Sequence, residues 1–177
     1  HVLAPLVAEF GRRYPQVVLD IHLDSPQLPP IEDYDLTLLG AADTFDANII
    51  ARPIASSDGI LCASPGYLRE HGTPLQPQEL TGHRCLRIKA PANHHRSLRL
   101  INPQEAEREL EIQIAPALLV NHSDTLIQAC VDGAGIISQS IALVAKLLQT
   151  GELQRVLSPW ITGRNTLYAA LPSRKFI

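Results

Sequence analysis

The sequence predicts an α/β fold, a mostly parallel sheet with helices on both faces. Short apolar runs of strand length alternate along the chain with segments whose apolar residues recur at helical spacing. The two strongest helical segments each close on a glycine, Gly133 and Gly151. The composition is that of a soluble folded chain, with 45% hydrophobic and 19% charged residues. In open sheets of this kind ligands bind beyond the carboxyl ends of strands, near the N-termini of the helices that follow.

The chain has 177 residues, enough for one medium domain or two small lobes with a buried core. No apolar run approaches the ~18 residues of a membrane span, and no basic-then-apolar start resembles a signal peptide. It begins at His1 and ends at Phe176-Ile177, which reads as a fragment or excised domain. The net charge is −3 and the 15 Lys and Arg are scattered. Phosphate neutralisation needs clustered cations, so this piece alone is a poor nucleic-acid binder. Cys62, Cys85 and Cys130 are odd in number and form no CxxC, so they read as buried free thiols in a reducing compartment.

Val2 to Tyr14 is expected to be a helix, with Val2, Leu3, Leu6, Val7 and Phe10 on one face and Pro5 tolerated near its start. Val17 to Leu23 alternates as a strand should. Pro29 and Pro30 leave at most a short, irregular helix between Gln27 and Tyr34. Asp35 to Leu39 is a short buried strand ending at Gly40, and a polar loop follows over Ala41 to Ala47. Ile49 to Ile54 and Gly59 to Ala63 are two further strands. Pro65 to His71 is a helix capped by Ser64 and closed by Gly72. Pro74 to Leu80 reads as a capped turn and Ala90 to Arg96 as a loop. Cys85 to Lys89, Ser97 to Ile101, Glu109 to Ile114 and Leu118 to Val120 are strands. Ser123 to Asp132 is the clearest helix, with Ser123 as N-cap. Gly135 to Ile137 is a brief strand, Gln139 to Gln149 a helix, and Leu153 to Leu157 and Thr166 to Leu171 are late strands.

These landmarks fall in a recognisable order. The run APLVAEFGRRYPQVVLDI at Ala4 to Ile21, DLTLLG at Asp35 to Gly40, and IIARPI at Ile49 to Ile54 open it. LCASPGYLREHG at Leu61 to Gly72, PQELTGHRCL at Pro77 to Leu86, VNHSDTLIQACVDGAGI at Val120 to Ile136, LVAKLLQTGELQRVLSPW at Leu143 to Trp160 and LYAALPSRKF at Leu167 to Phe176 continue it. Together they resemble the C-terminal effector-binding (substrate-binding) domain of LysR-type transcriptional regulators over nearly the whole chain.

The resemblance implies two Rossmann-like lobes of type II periplasmic-binding-protein architecture, with mixed, mostly parallel sheets, joined by two crossover strands. One lobe would hold residues 1–61 and 158–177, the other 62–157. The crossings would fall near Leu61-Cys62-Ala63 and Leu157-Ser158. It implies a small-molecule effector, such as a small organic acid, between the lobes. It implies a homodimer paired through the first helix, the strand near Val18 to Leu23 and the helix after Ser123, with a tetramer at full length. DNA would be met only through an N-terminal winged helix-turn-helix that these residues do not include. A cytoplasmic location, with no membrane partner, is expected. The rival reading is a periplasmic solute-binding protein of a transporter.

The chain departs from the family pattern in places. Pro26, Pro29 and Pro30 interrupt an expected helix. Leu38-Leu39 stands where Arg is common, and Ile137-Ser138-Gln139 where a Leu-Pro pair commonly follows Gly-Ile. A tryptophan is missing near Leu98. These changes suggest a less charged pocket than in sensors of aromatic acids.

Several residues are candidates for the ligand. Asp24 and Ser25 end a strand and could hold a carboxylate or carbonyl, or could simply mark a turn. Asn121, His122, Ser123 and Thr125 sit at a helix start, where free N–H groups tolerate an anion. Plain capping accounts for them equally. Leu39-Gly40 ends a strand where backbone can approach a ligand. Arg87 and the loop at Ala90 follow a strand of the second lobe, and Arg87 could clamp a carboxylate or be solvated. His94-His95 reads as a solvated loop rather than a metal pair. No metal site is expected. No GxGxxG or GxxxxGK[ST] occurs and no cofactor is expected. Ser64 and Ser123 lie outside any GxSxG, so no catalytic residues are expected.

Overall fold

The structure is a computed structural model that describes residues 3–22, 31–41, 50–89 and 96–172. Its elements in chain order are α1 (Ala4–Arg13), β1 (Thr37–Ala41), β2 (Ile50–Ala63), α2 (Pro65–His71), β3 (Cys85–Ile88), β4 (Ser97–Asn102), β5 (Arg108–Gln113), β6 (Pro116–Val120), α3 (Ser123–Val131), β7 (Ile136–Ser140), α4 (Ile141–Thr150), β8 (Gln154–Val156) and β9 (Gly163–Leu171). Short 3-10 turns occupy Ile31–Asp33 and Pro77–Gly82.

One seven-stranded sheet runs β1-β9-β2-β7-β3-β6, with β8 also paired to β2. It is mixed. Strand β3 pairs in parallel with β6 and β7, the strands that flank α3. Strands β2 and β9 are long and take antiparallel partners. The two strands expected between Ile49 and Ala63 are therefore one. Its register slips between Pro53 and Ala55 but does not break, because Pro53 lacks only the N–H that a local irregularity can spare. Strand β2 changes partners at Gly59. Residues up to Gly59 pair with β9, and from Gly59 onward the strand pairs with β7.

Alternation along the strands builds a core on each face of the sheet. Ile60, Cys62, Leu86 and Ile137 point to the face covered by α3 and α4, where they meet Leu126, Cys130 and Val144. Leu61, Cys85 and Ile136 point to the other face. There they pack under α2 and under the two-stranded ribbon β4–β5, through Leu98, Leu100 and Ile112. The three cysteines are free and buried. Burial holds the Cys85 thiol up at about 11, so it stays protonated.

Local signals explain the helices. The Ser64 hydroxyl accepts the Tyr67 N–H at 3.3 Å, as the sequence suggests. At α3 the cap is one residue earlier than expected. His122 is extended, and its Nδ1 accepts the Thr125 N–H at 3.4 Å, while Ser123 is already helical. A neutral imidazole nitrogen serves as well as a hydroxyl here. The expected strand at Val17 to Leu23 is not formed over its described part, Val17–His22. No described strand lies beside it to accept its hydrogen bonds. Its apolar side chains stand in solvent, Val18 at 91% exposure.

Beneath α2, Tyr67 joins the start of β3. Its oxygen accepts the Arg84 N–H at 2.9 Å, which leaves its own proton for His83 Nδ1 at 3.1 Å. Burial, and secondarily the nearby His71, lower the His83 pKa. The unfolded chain takes up this proton near the ordinary value of about 6.5, and the folded chain only at lower pH. Stability from this site is therefore full above about pH 6.5 and is lost as the pH falls through the folded value. Urea midpoints should drop between pH 7.5 and 5.5, and His83→Gln should flatten that slope. An unchanged slope would remove His83 from the account.

Candidate functional site

Arg87 lies on β3 two residues after Cys85, so it faces the ribbon side of the sheet. Arg87 and residues of the ribbon together line a cavity of about 650 Å³. Strand β3 contributes Arg87 and β7 contributes Ser138. The β9 approach gives Thr162 and Asn165, and the ribbon gives Ser97 to Arg99 and Glu109 to Glu111. The size suits a small ligand.

Arg87 anchors one wall. Its Nη2 donates to the Ser97 carbonyl at 3.2 Å, which ties the guanidinium to the ribbon. Its Nε is buried and has no partner among the described residues. An unpaired buried donor costs about 1–3 kcal/mol, and more if charged. Burial lowers the Arg87 pKa, yet a guanidinium keeps its charge at neutral pH.

The ribbon part of the lining carries charges of both signs. Arg99 Nε donates to Glu109 Oε2 at 2.9 Å, diagonally across the ribbon. That hydrogen bond holds the Glu109 carboxyl below the usual carboxylate range. The residue directly across from Arg99 is Glu111, which has no ion-pair partner among the described residues. This lining carries four charged side chains, Arg87, Arg99, Glu109 and Glu111. Leu38-Leu39, which with the prolines suggested a less charged pocket, lies on β1 and is not part of this lining.

At the floor, the Ser138 and Thr162 hydroxyls share a hydrogen bond of 2.7 Å. Thr162 also donates its backbone N–H to the Gly59 carbonyl at 2.8 Å. A Cβ on Gly59 would lie 2.5 Å from Thr162 Oγ1, so only glycine lets the threonine settle here.

The candidates named from sequence scatter around this cavity. Arg87 lines it. Asn121, His122, Ser123 and Thr125 follow β6 at the same end of the sheet, because Val120 pairs with Ile88. They are not among its described lining. Leu39 is buried on β1 opposite Tyr168, and Gly40 pairs with Leu167. Neither reaches the cavity. Asp24, Ser25, Ala90, His94 and His95 lie outside the described residues. The sequence reading did not single out Arg99, Glu109, Glu111, Thr162 or Asn165 as ligand contacts. Ser138 carried a signal, since it replaces a residue of the common Leu-Pro pair. The ribbon carried none, because alternating charge on a strand reads as ordinary solvated surface.

A mixed sheet with α3 and α4 on one face, α2 and a ribbon on the other, and a polar cavity lined by sheet and ribbon together is the architecture of a ligand-binding α/β domain of the type II periplasmic-binding-protein kind. The family described as LysR substrate binding domain matches residues 1–177, and the chain belongs to it. An HTH-type transcriptional regulator of Xanthomonas campestris pv. campestris is 32% identical over 160 residues, 89% of this chain and 46% of its own length. The regulator CrgA of Neisseria meningitidis is 32% identical over 158 residues, 89% of this chain and 51% of its own. The solved structure of CrgA, a LysR-type transcriptional regulator, matches with a TM-score of 0.82 at 28% identity, covering 98% of this chain and 57% of that one. The chain thus spans about half the length of the curated relatives it matches. These relatives are regulators by name, not solute-binding proteins of transporters. No helix among the described residues is long and apolar enough to cross a membrane.

Proposed function

We propose that this chain is the effector-sensing part of a cytoplasmic LysR-type regulator, and that its effector, a small organic acid or related metabolite, binds in the cavity beside Arg87. The observation that carries the reading is the buried Arg87 Nε without an acceptor among the described residues, on a side chain that lines a cavity of about 650 Å³. A ligand oxygen would complete its hydrogen bonding. The role is binding, not catalysis. The neighbours of Arg87 are hydroxyls and carboxylates that hold a ligand without activating a nucleophile.

The lobes would be residues 1–61 with 158–177, and residues 62–157. The partner change at Gly59 on β2 makes this strand the natural crossing. Ligand would draw the lobes together, and by no more than its differential affinity for the two states. The exposed apolar faces of α1 and Val17 to Ile21 suit a second copy in a homodimer, with a tetramer at full length. Closure would alter the dimer and so the spacing of DNA-binding heads carried elsewhere in the regulator.

A thermal-shift screen over small carboxylates, amino acids and aromatic metabolites tests the reading. A ligand at about one hundred times its Kd adds about 2.7 kcal/mol, or roughly 5–10 °C for a chain of this size. Arg87→Gln should remove most of that shift. A hit indifferent to Arg87→Gln would place the effector elsewhere.

A further inference from the structure

The cavity charges say which ligand class it takes. We propose that the effector is a small zwitterion, with its carboxylate on Arg87 and a cationic nitrogen on Glu111. The proposal rests on the reading that this cavity is the effector site.

Four ionised side chains line the cavity, two of each sign. Arg99 and Glu109 neutralise one another in a direct ion pair. That leaves Arg87, whose Nε–H has no acceptor among the described residues, on the sheet side of the lining and Glu111, without an ion-pair partner among the described residues, on the ribbon side. A simple dicarboxylate would satisfy Arg87 but bring its second charge towards Glu111. A diamine would do the reverse. Only a molecule bearing both charges satisfies both walls.

The ribbon register keeps the two anchor points apart. Arg87 is tied to the Ser97 carbonyl, and Glu111 lies opposite Arg99, two residues along the same strand. Two strand residues span about 7 Å along β4, and β5 lies about 4.8 Å further across, so Glu111 is rooted well away from the Arg87 anchor point at Ser97. An extended chain with several atoms between ammonium and carboxylate matches this better than a simple α-amino acid, whose charges sit too close. The Ser138 and Thr162 hydroxyls lie alongside and suit a second oxygen of the carboxylate.

Three probes with the same five-carbon backbone separate the possibilities: 5-aminopentanoate, glutarate and 1,5-diaminopentane, titrated calorimetrically into the protein at pH 7.5. The expected order places 5-aminopentanoate at least about tenfold tighter than the other two, the effect of one charge-assisted hydrogen bond. Glu111→Gln, an exposed change that leaves the core intact, should weaken 5-aminopentanoate about tenfold and strengthen glutarate. Arg87→Gln should weaken both. Glutarate binding as tightly as 5-aminopentanoate, yet still dependent on Arg87, would overturn the zwitterion and keep the cavity. Binding untouched by Arg87→Gln would overturn the cavity itself. Failure of 5-aminopentanoate to bind at all would also overturn the proposal.

Discussion

Gly135→Ala should destabilise the protein by more than about 3 kcal/mol, at the severe end for a single methyl group. Gly135 has φ +156° and precedes β7 where that strand meets the start of β3, and the Ile136 N–H bonds the Arg84 carbonyl at 2.8 Å. A Cβ on Gly135 would fall 2.2 Å from the Arg84 carbonyl oxygen and 3.0 Å from its carbon. These are backbone atoms, locked by the sheet on one side and by the Tyr67 hydroxyl on the other. They cannot turn away as a side chain would. The strands must part, and the buried sulfur of Cys130 would lose its contact with the Gly135 carbonyl at 3.3 Å. Gly82→Ala is the matched control, since nothing lies within 4 Å of its added Cβ. That change should stay within about 0.5 kcal/mol. Urea denaturation of both variants measures the difference, and equal midpoints would contradict the account.

Leu100→Ala should cost about 2–5 kcal/mol and lower the thermal midpoint by roughly 5–15 °C. Leu100 is fully buried on β4, in the cluster that seats the ribbon on the sheet with Leu61, Leu80 and Ile112. Removing it leaves a void that the paired ribbon cannot collapse into without shifting. The second consequence is functional. The ribbon carries Ser97, Arg99 and Glu111, so a looser seat enlarges the cavity and weakens the ligand beyond what lost stability explains. Leu75→Ala, at a side chain 81% exposed, should change neither. Chemical denaturation together with ligand titration of the folded variant separates the two effects. A Leu100→Ala protein of native affinity would detach the ribbon from the site.

Much of the fold was legible because each helix and most strands carry local signals. Ser64 and Gly72 bracket α2, Gly151 stops α4 in a left-handed conformation, and Gly133 follows α3 at φ +88°. What misled was pairing, which no local signal records. Val17 to His22 alternates as a strand should but has no described neighbour. Ile49 to Ile54 and Gly59 to Ala63 look like separate strands in sequence, yet Ala55 to Asp58 between them also pair with β9. The helix start at α3 moved to His122 because imidazole capping has a weaker sequence signature than serine.

The site was less legible than the fold. Arg87 was visible as a cation after a strand, but its importance lies in a buried nitrogen, and burial depends on the ribbon. Arg99 and Glu111 meet Arg87 only through the register of β4 with β5 and the bond from Arg87 to Ser97. Thr162 reaches the cavity through a glycine more than one hundred residues away in sequence, Gly59. Such contacts follow from topology, so residue patterns alone do not reveal them.

The central claim is that a ligand completes the hydrogen bonding of Arg87. The Arg87 Nε–H can be followed by nitrogen–proton NMR, its resonance assigned by its loss in Arg87→Gln. On titration with a ligand that raises the thermal midpoint, this resonance should shift in step with occupancy and exchange more slowly with water. A saturating ligand that leaves it unmoved would contradict the account.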